Sequence, residues 1–391
     1  MDSDGTKKKI CILVSSEMTI KVFLLDQIAA LSNKYNVSVV LNTKDRYFFD
    51  TFGIRADVFP VHIERKIFLW QDIKAIFYLF RLFKKKKFDV IHSVTPKAGL
   101  LAMLAGFFAR VPVRIHTFTG QVWVTRSGIK KLVLKWMDKA LATFATNILI
   151  DSHSQRDFLI KQGVVSKDKS CVLAKGSISG VDTQRFHPNP IVRTEIRSKF
   201  GISENDVIFL FLGRLNRDKG ILDLAKAFSN LCNAYNNIYL LIVGPDEENL
   251  QHIIVNLCKP YSDKVHFIAF TNEPEKYMAS ADIFCLPSYR EGFGSVIIEA
   301  ASTGIPAIAS RIYGITDAVE EDVTGLLYQA GNVEQLINRM KKFIDDSTLR
   351  KKMGENARMR AHRDFSKEKV TSATLEYYRA IISKFHGQAA I

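Results

Sequence analysis

Pro287-Ser-Tyr-Arg-Glu-Gly-Phe-Gly-Ser-Val-Ile-Ile-Glu-Ala-Ala-Ser-Thr-Gly-Ile-Pro306 carries two carboxylates, Glu291 and Glu299, with seven residues between them and a Gly-x-Gly turn after the first. The apolar run before it, Asp282-Ile-Phe-Cys-Leu286, predicts a buried strand, and residues 295–303 predict a short helix stopped by Gly304 and Pro306. Strand, glycine turn and helix in that order aim unpaired backbone N–H groups and a positive dipole end at the turn, where an anion, most naturally a phosphate, is stabilised. Glu291 falls in the loop before the helix and Glu299 about one turn into it, so both reach a ligand held there, one near its far group and one near its nucleoside. Gly292, Phe293, Gly294, Ser295 and Val296 then line the ligand with Glu299. A surface loop with two solvated glutamates is the other reading of this spacing.

The strand-then-helix rhythm fills the rest of the chain. Short apolar runs at 10–14, 37–41, 57–61, 90–92, 113–116 and 148–150 alternate with helical stretches at 18–32, 70–87, 97–110 and 128–145. Runs of this kind belong to parallel strands covered on both faces, so a doubly wound α/β sheet is predicted. The rhythm breaks at Gly180-Val-Asp-Thr-Gln-Arg-Phe-His-Pro-Asn-Pro190, where prolines and a polar cluster predict a linker. It resumes at 207–212, 238–243, 265–268, 283–286 and 307–309, with a helix at 220–234 and helical character throughout 332–385. A chain of 391 residues suits two domains, read here as 1–184 and 206–365 with 185–205 as the linker.

Composition narrows the class. With 47% hydrophobic and 24% charged residues the chain is globular, and disorder is excluded for most of it. A net charge of +15 implies attraction to a polyanion, an anionic membrane surface or a phosphate-bearing substrate. No nucleic-acid recognition motif accompanies that charge, so nucleic acid is not an expected partner. Five cysteines without a C-x-x-C pair read as reduced thiols of a cytoplasmic protein and suggest no zinc site. The polar start, residues 1–9, leads straight into a strand, so no signal peptide is expected. The longest uncharged apolar run, 98–109, is about half of what spans a bilayer.

A second constellation lies at Gly213-Arg-Leu-Asn-Arg-Asp-Lys-Gly220, after the first strand of the second domain. Arg214 and Lys219 converge there on the carboxyl edge of the sheet, where open α/β folds bind their ligands. A guanidinium and an ammonium suit a departing diphosphate, because both stabilise negative charge as it develops. Taken alone, a basic turn before a helix is more often a solvated cap. Val243-Gly-Pro-Asp-Glu-Glu248 reads as a turn between strand and helix and receives no role. Paired aspartates occur at Asp2-Ser-Asp4 and Asp345-Asp346, one in a tail and one at a helix end, and neither makes a credible metal site.

These motifs together resemble the E-x7-E signature and the G-R-x-x-x-x-K-G pattern of retaining glycosyltransferases with the GT-B fold. The family is the large glycosyltransferase family 4, or group 1, that includes bacterial mannosyltransferases and sucrose synthase. The 180–188 segment is similar to that family's G-V-D-x-x-x-F-x-P junction. The resemblance covers most of residues 8–385 and implies two Rossmann-like domains facing a cleft, with helix 366–391 returning to the first. It implies that Arg214 and Lys219 hold the donor diphosphate, that Glu291 contacts the donor sugar and that Glu299 binds the ribose. It also implies retention of configuration and no metal or other cofactor, since such enzymes use Arg, Lys and a helix N-terminus instead. The first domain would receive the acceptor, and there the match is weaker. Ser15-Ser16-Glu17 stands in place of a Gly-rich loop, and Thr119 in place of a histidine before Gly120, with His116 three residues earlier. His116 and Thr119 are thus candidates for the donor sugar, Ser16 and Lys97 for the acceptor side, and a strand histidine in the core is the other reading of His116.

Trp70, Ile73, Phe77, Phe80 and Phe83 recur at helical spacing before Lys84-Lys-Lys-Lys87, and Arg126, Lys130, Lys131 and Lys135 form a second basic group. A core-packed helix with a solvated lysine end explains the first group. Docking on an anionic inner membrane surface explains both, and suits a polyprenyl-diphosphate-linked saccharide acceptor. The expected activity is transfer of a hexose or N-acetylhexosamine from a nucleotide-sugar, UDP-linked, to such an acceptor in surface polysaccharide biosynthesis. An epimerase of GT-B type and a nucleotide-sugar-binding protein without turnover remain as alternatives, and intact Glu291, Arg214 and Lys219 argue against the second.

Overall fold

Val- and Ile-rich runs become strands wherever helices cover both faces. The structure, a computed structural model, describes residues 7–63 and 68–389, so Asp2 and Asp4 lie outside the described residues. It divides into two units, one running to Ser179 and resuming at Glu368, the other spanning Gly180–Lys367. Among the described residues, the first unit holds β1 (Lys9–Leu13), β2 (Asn36–Leu41), β3 (Asp57–Pro60), β4 (Val90–Ser93), β5 (Val113–Phe118), β6 (Asn147–Ile150) and β7 (Ser170–Cys171). They form one parallel sheet in the order β3-β2-β1-β4-β5-β6-β7. The single helix predicted over 18–32 is broken into α1 (Glu17–Thr19), a π-helical turn at Ile20–Leu24 and α2 (Leu25–Lys34). α3 (Leu69–Lys86), α4 (Pro96–Phe108), α5 (Gly128–Phe144) and α6 (His153–Lys161) complete this stretch. α4 packs against both α3 and α5, which accounts for its apolar residues on all sides.

The aromatic residues of α3 do not all face the core. Ala75, Leu79, Leu82 and Phe83, at 3.6-residue spacing, fill it, whereas Trp70, Ile73 and Phe77 are 79%, 44% and 62% exposed. A helix with two apolar stripes buries only the one that meets the sheet.

The second unit repeats the scheme with α7 (Pro190–Lys199), β8 (Val207–Leu212), α8 (Ile221–Leu231), β9 (Ile238–Val243), α9 (Gln251–Leu257), β10 (Val265–Ile268), α10 (Pro274–Ser280), β11 (Ile283–Leu286), α11 (Ser295–Ser302), β12 (Ala307–Ser310), α12 (Ile315–Ala318), β13 (Gly325–Tyr328), α13 (Val333–Asp345) and α14 (Ser347–Phe365). Its parallel order is β10-β9-β8-β11-β12-β13, so the direction of winding reverses between β8 and β11.

Residues 185–205, expected as a linker, belong to this unit and contain α7. The prolines that suggested a break instead start a helix, with Pro190 in its first turn and the Asn189 side chain accepting from Val192 N at 3.1 Å. Arg197 of α7 is 1% exposed. Its guanidinium donates to Asp282 and to the carbonyls of Ser203, Asp206 and Ser280, which satisfies a buried charge and fixes α7 beside β11. Asp346 and Asp345 also have structural work: Asp346 caps α14 through Leu349 N, and Asp345 accepts from Tyr235 Oη at 2.7 Å.

α15 (Lys367–Ala389) returns to the first unit from residue 368. Tyr378, fully buried, places its hydroxyl 2.7 Å from His92 Nδ1 on β4, and Thr117 Oγ1 on β5 stands 2.7 Å from His92 Nε2. Burial pushes His92 down to about 4, so the ring is neutral and offers one donor and one acceptor to the two hydroxyls. Among the described residues no helix is long and apolar enough to cross a membrane. Tyr378→Phe strands one nitrogen of His92. We expect a loss of about 1–3 kcal/mol in the first unit's denaturant transition, read by a probe in that unit.

Candidate active site

The loop after β8 and the loop after β11 meet at the reversal point of the second sheet, where this class of sheet leaves a crevice. In the first loop, Asn216 caps a 3₁₀ turn at Arg217–Lys219 by accepting from Lys219 N at 3.2 Å. Gly220 follows with φ +66°, and a Cβ there would stand 2.0 Å from the carbonyl oxygen of Pro287. That contact draws the loops together. Tyr289 N donates to Asp218 O at 2.8 Å, and Arg290 pairs with Asp218 at 3.2 Å.

Lys219 Nζ then lies 2.5 Å from Glu291 Oε1, the oxygen that also accepts from Ser288 Oγ at 2.8 Å. Both members of the pair are largely buried, at 19% and 14% exposure of their side chains. Arg214 is half exposed and donates through Nη1 to both oxygens of Glu247, at 3.0 and 2.9 Å, with Asn216 Nδ2 on the same carboxylate at 3.2 Å. Glu247 lies in the 243–248 segment, which received no role above. Which carboxylate pairs with Arg214 is set by the adjacency of β8 and β9, a three-dimensional fact that spacing alone does not carry.

Gly294, at φ +81°, opens α11, and no side chain caps that end. Ile297 N donates to Gly294 O at 2.8 Å, and the N–H groups of Ser295 and Val296 precede the helical hydrogen-bond ladder. Gly314, at φ +83°, backs the turn so closely that a Cβ would stand 2.4 Å from Gly292 O. Ser295 and Val296 are half-buried there, but Phe293 departs from the expectation. Its side chain is 2% exposed and packs on Phe365 with ring centroids 5.2 Å apart, so only its backbone belongs to the turn. Glu299 is half-buried at the second turn of α11. Desolvation pushes its carboxyl up to about 7, with Arg185 opposing and Glu275 reinforcing the shift.

In the first unit the candidates are scattered. His116 is fully buried, with Nδ1 2.8 Å from Ser93 Oγ, its ring edge-on to Phe118, and Gly99 so near that a Cβ would stand 2.5 Å from its Cε1. Desolvation first, and His92 second, lower it to about 3. It is a neutral histidine packed in the core, and its Nε2 meets no hydrogen-bond partner among the described residues. Lys97 is paired with Asp72 at 2.7 Å, both largely buried, so it holds α4 to α3. Ser16 caps α1, its Oγ accepting from Thr19 N at 3.4 Å. Thr119 is half-buried just past β5.

Three residues that sequence reasoning missed stand at this carboxyl edge. Asp151, directly after β6, is 5% exposed and pushed up to about 8 by burial, so it carries a proton at neutral pH. Gln121 and Gln155, both fully buried, are joined at 3.3 Å. A protonated carboxyl and two amides can hydrogen-bond neutral hydroxyl groups without introducing charge. The signal available was an acid ending an apolar run at Ile148-Leu-Ile-Asp151.

Two doubly wound parallel sheets in one chain, the second with this loop pair at its reversal point, define the GT-B class. The family profile described as "Glycosyl transferases group 1" matches residues 192–360, and "Glycosyl transferase 4-like domain" matches 19–176. The chain is similar to a Staphylococcus aureus protein named "Capsular polysaccharide biosynthesis glycosyltransferase CapM", 30% identical over 335 residues that cover 85% of this chain and 87% of that one. It is also 30% identical, over 76% of each chain, to the Escherichia coli "UDP-Gal:alpha-D-GlcNAc-diphosphoundecaprenol alpha-1,3-galactosyltransferase". The crystal structure of Anabaena HepE in complex with UDP and glucose has the same fold, with a TM-score of 0.79 over 95% of this chain and all of that one at 20% identity. The chain belongs to the group 1, or family 4, glycosyltransferases and is a glycosyltransferase of GT-B fold.

The raised Glu299 carboxyl makes a stability prediction. A folded-state pKa above the ordinary 4.5 means that the folded protein holds this proton more tightly than the unfolded chain does. Stability contributed by the group is full below about 4.5 and is lost as pH rises toward about 7. Glu299→Gln removes that loss. Its melting temperature relative to wild type should climb across this window and be level on either side in parallel thermal scans.

Proposed function

We propose that the protein transfers a hexose or N-acetylhexosamine from a UDP-sugar, with retention of anomeric configuration, to a polyprenyl-diphosphate-linked saccharide. It works without a metal, docked on the cytoplasmic face of an anionic inner membrane, in surface polysaccharide biosynthesis. The observation that carries the reading is the buried Lys219–Glu291 pair at the reversal point of the second sheet, beside the uncapped N-terminus of α11. The relatives' names support capsule assembly and, for one of them, a UDP-sugar with an undecaprenol-linked acceptor.

In this reading the donor diphosphate lies against the first turn of α11, where backbone N–H groups and the helix dipole stabilise it. Lys219, held in place by Glu291, supplies a positive charge to the leaving diphosphate, and Arg214 joins it by exchanging Glu247 for phosphate. An exposed ion pair is worth only about 0–1 kcal/mol, so that exchange is easy. Glu291 is oriented by Ser288 and Lys219 and presents its second oxygen to the sugar. Glu299 accepts from the ribose hydroxyls, which favour its ionised form.

A panel of UDP-glucose, UDP-galactose, UDP-N-acetylglucosamine and UDP-N-acetylgalactosamine tests the reading, with and without a polyprenyl-diphosphate saccharide. UDP release that requires the acceptor, an α-linked product by NMR and turnover unchanged by EDTA are expected. Rearrangement of the sugar without acceptor would mean an epimerase. Lys219→Ala and Arg214→Ala should each lower kcat by roughly 10²–10³ with a smaller change in KM, because they act on charge that develops during departure. An unchanged kcat with a raised KM sinks their assignment. In calorimetry, Glu299→Gln should weaken UDP and UDP-sugar alike, whereas Glu291→Gln should spare UDP. Equal loss of UDP affinity in the two variants refutes this division of roles.

A further inference from the structure

Among the exposed large apolar side chains of the first unit, two sets are aligned along helices. On α3 they are Trp70, Ile73 and Phe77, at 79%, 44% and 62% exposure. On α5 they are Ile129, Leu132, Val133 and Trp136, at 80%, 66%, 49% and 69%. The α5 set falls at i, i+3, i+4 and i+7, one unbroken helical stripe pointing away from the core. Exposed Lys74 lies beside the first stripe, and exposed Lys130 and Lys131 beside the second. Each helix has one acidic residue, and both are engaged elsewhere: Asp72 with Lys97 at 2.7 Å, and Asp138 accepting from Trp123 Nε1 at 2.8 Å. The outward faces of α3 and α5 are therefore apolar and basic with no acid between.

Topology places the two stripes at one end of the unit. α3 leads from β3 to β4 and α5 from β5 to β6, all parallel strands of one sheet, so each helix starts at the carboxyl edge. Lys84 and Lys85, at the last turn of α3, lie about 22 Å from Trp70 along the helix axis, at the amino edge. The two basic groups of the sequence thus stand at different ends: exposed Phe107 and Phe108, which close α4, lie at the end of Lys84 and Lys85, and the two stripes lie at the end of the Lys130 group.

An apolar stripe flanked by lysines, with tryptophans on it, matches the boundary between headgroups and acyl chains. We propose that the N-terminal halves of α3 and α5 insert as two ridges into an anionic lipid bilayer, with Lys74, Lys130 and Lys131 at the phosphate layer, turning the carboxyl edge of the first sheet toward the lipid. The inference rests on the reading of a membrane-held acceptor and adds the surface and the mode of attachment, insertion in place of charge attraction alone.

The test uses the full chain and vesicles of phosphatidylcholine with or without about a third phosphatidylglycerol. Binding to the anionic vesicles should largely persist at about 0.5 M NaCl, where surface electrostatics are screened. Lipids with brominated acyl chains should quench Trp70 and Trp136 but not the buried Trp123, as resolved by Trp70→Phe and Trp136→Phe. Leu132→Ser with Trp136→Ser, and separately Trp70→Ser with Phe77→Ser, should each lower vesicle partition by about tenfold or more. Lys84→Ala with Lys85→Ala should change it by less than about twofold. All the substituted side chains are exposed, and unchanged circular dichroism confirms folding. Complete release by salt with no quenching overturns the proposal, as does a lipid-free dimer that the serine variants dissociate. Transfer to a lipid-linked acceptor in detergent without vesicle binding defeats this inference alone. Vesicle binding through these ridges without transfer upholds it and defeats the proposed activity.

Discussion

No side chain fits between Gly220 and the carbonyl of Pro287, and that close approach sets the geometry of the second unit's site. A left-handed φ of +66° lets the chain after β8 press against the chain after β11, with no room even for a methyl group. Lys219 precedes the contact and Ser288 follows it, so the separation of the ammonium from Glu291 is fixed by backbone, not by two flexible side chains finding each other. Gly314 does the same for Gly292 from the other side. Two glycines, one after each of two turns, thus hold the loop that carries the first glutamate. The cost in backbone entropy falls on the unfolded chain's freedom at those positions.

Charge inside the site is balanced even though the chain as a whole carries +15. Lys219 is matched by Glu291 and Arg214 by Glu247, while Glu299 is poised near half protonation at neutral pH. The two pairs differ in character. Arg214 and Glu247 are solvated enough to part cheaply, whereas separating Lys219 from Glu291 leaves two largely buried charges uncompensated. One cation is therefore mobile and the other is a fixed part of the framework. A site built this way offers little to a polyanion that cannot also engage the helix N-terminus.

Much of this was legible in sequence, and the failures have physical reasons. Residues 207–212, 238–243, 265–268 and 283–286 were read with the boundaries observed, because central parallel strands are continuous apolar runs ended by polar turns. β13 at Gly325–Tyr328 was missed: it begins on a glycine that reads as a turn and offers only two aliphatic residues after it. The helix over Pro190–Lys199 was hidden because prolines mark breaks and first turns alike. Lys219 and Glu291 are singled out by motif, but their mutual pairing and the Arg214–Glu247 pair depend on strand order. The packing of His116 on Gly99 was not legible, because a histidine at a strand end looks the same in sequence whether it faces a ligand or the core. The exposure of Trp70 and Phe77 was invisible for a related reason: periodicity shows that a face is apolar, not what covers it.

Tyr378 and Ile382 stand in the same cluster of buried residues as β1, β2 and β4. On the ribosome this matters. The second unit, residues 180–367, is one unbroken stretch of chain, so its core needs nothing that lies beyond residue 367. The first unit, begun earlier, waits with an open groove along its sheet until residue 382 has emerged. The half of the protein synthesised first is the half completed last, and a message truncated after Lys367 yields a whole second unit attached to a first unit whose apolar groove stays open to chaperones and proteases.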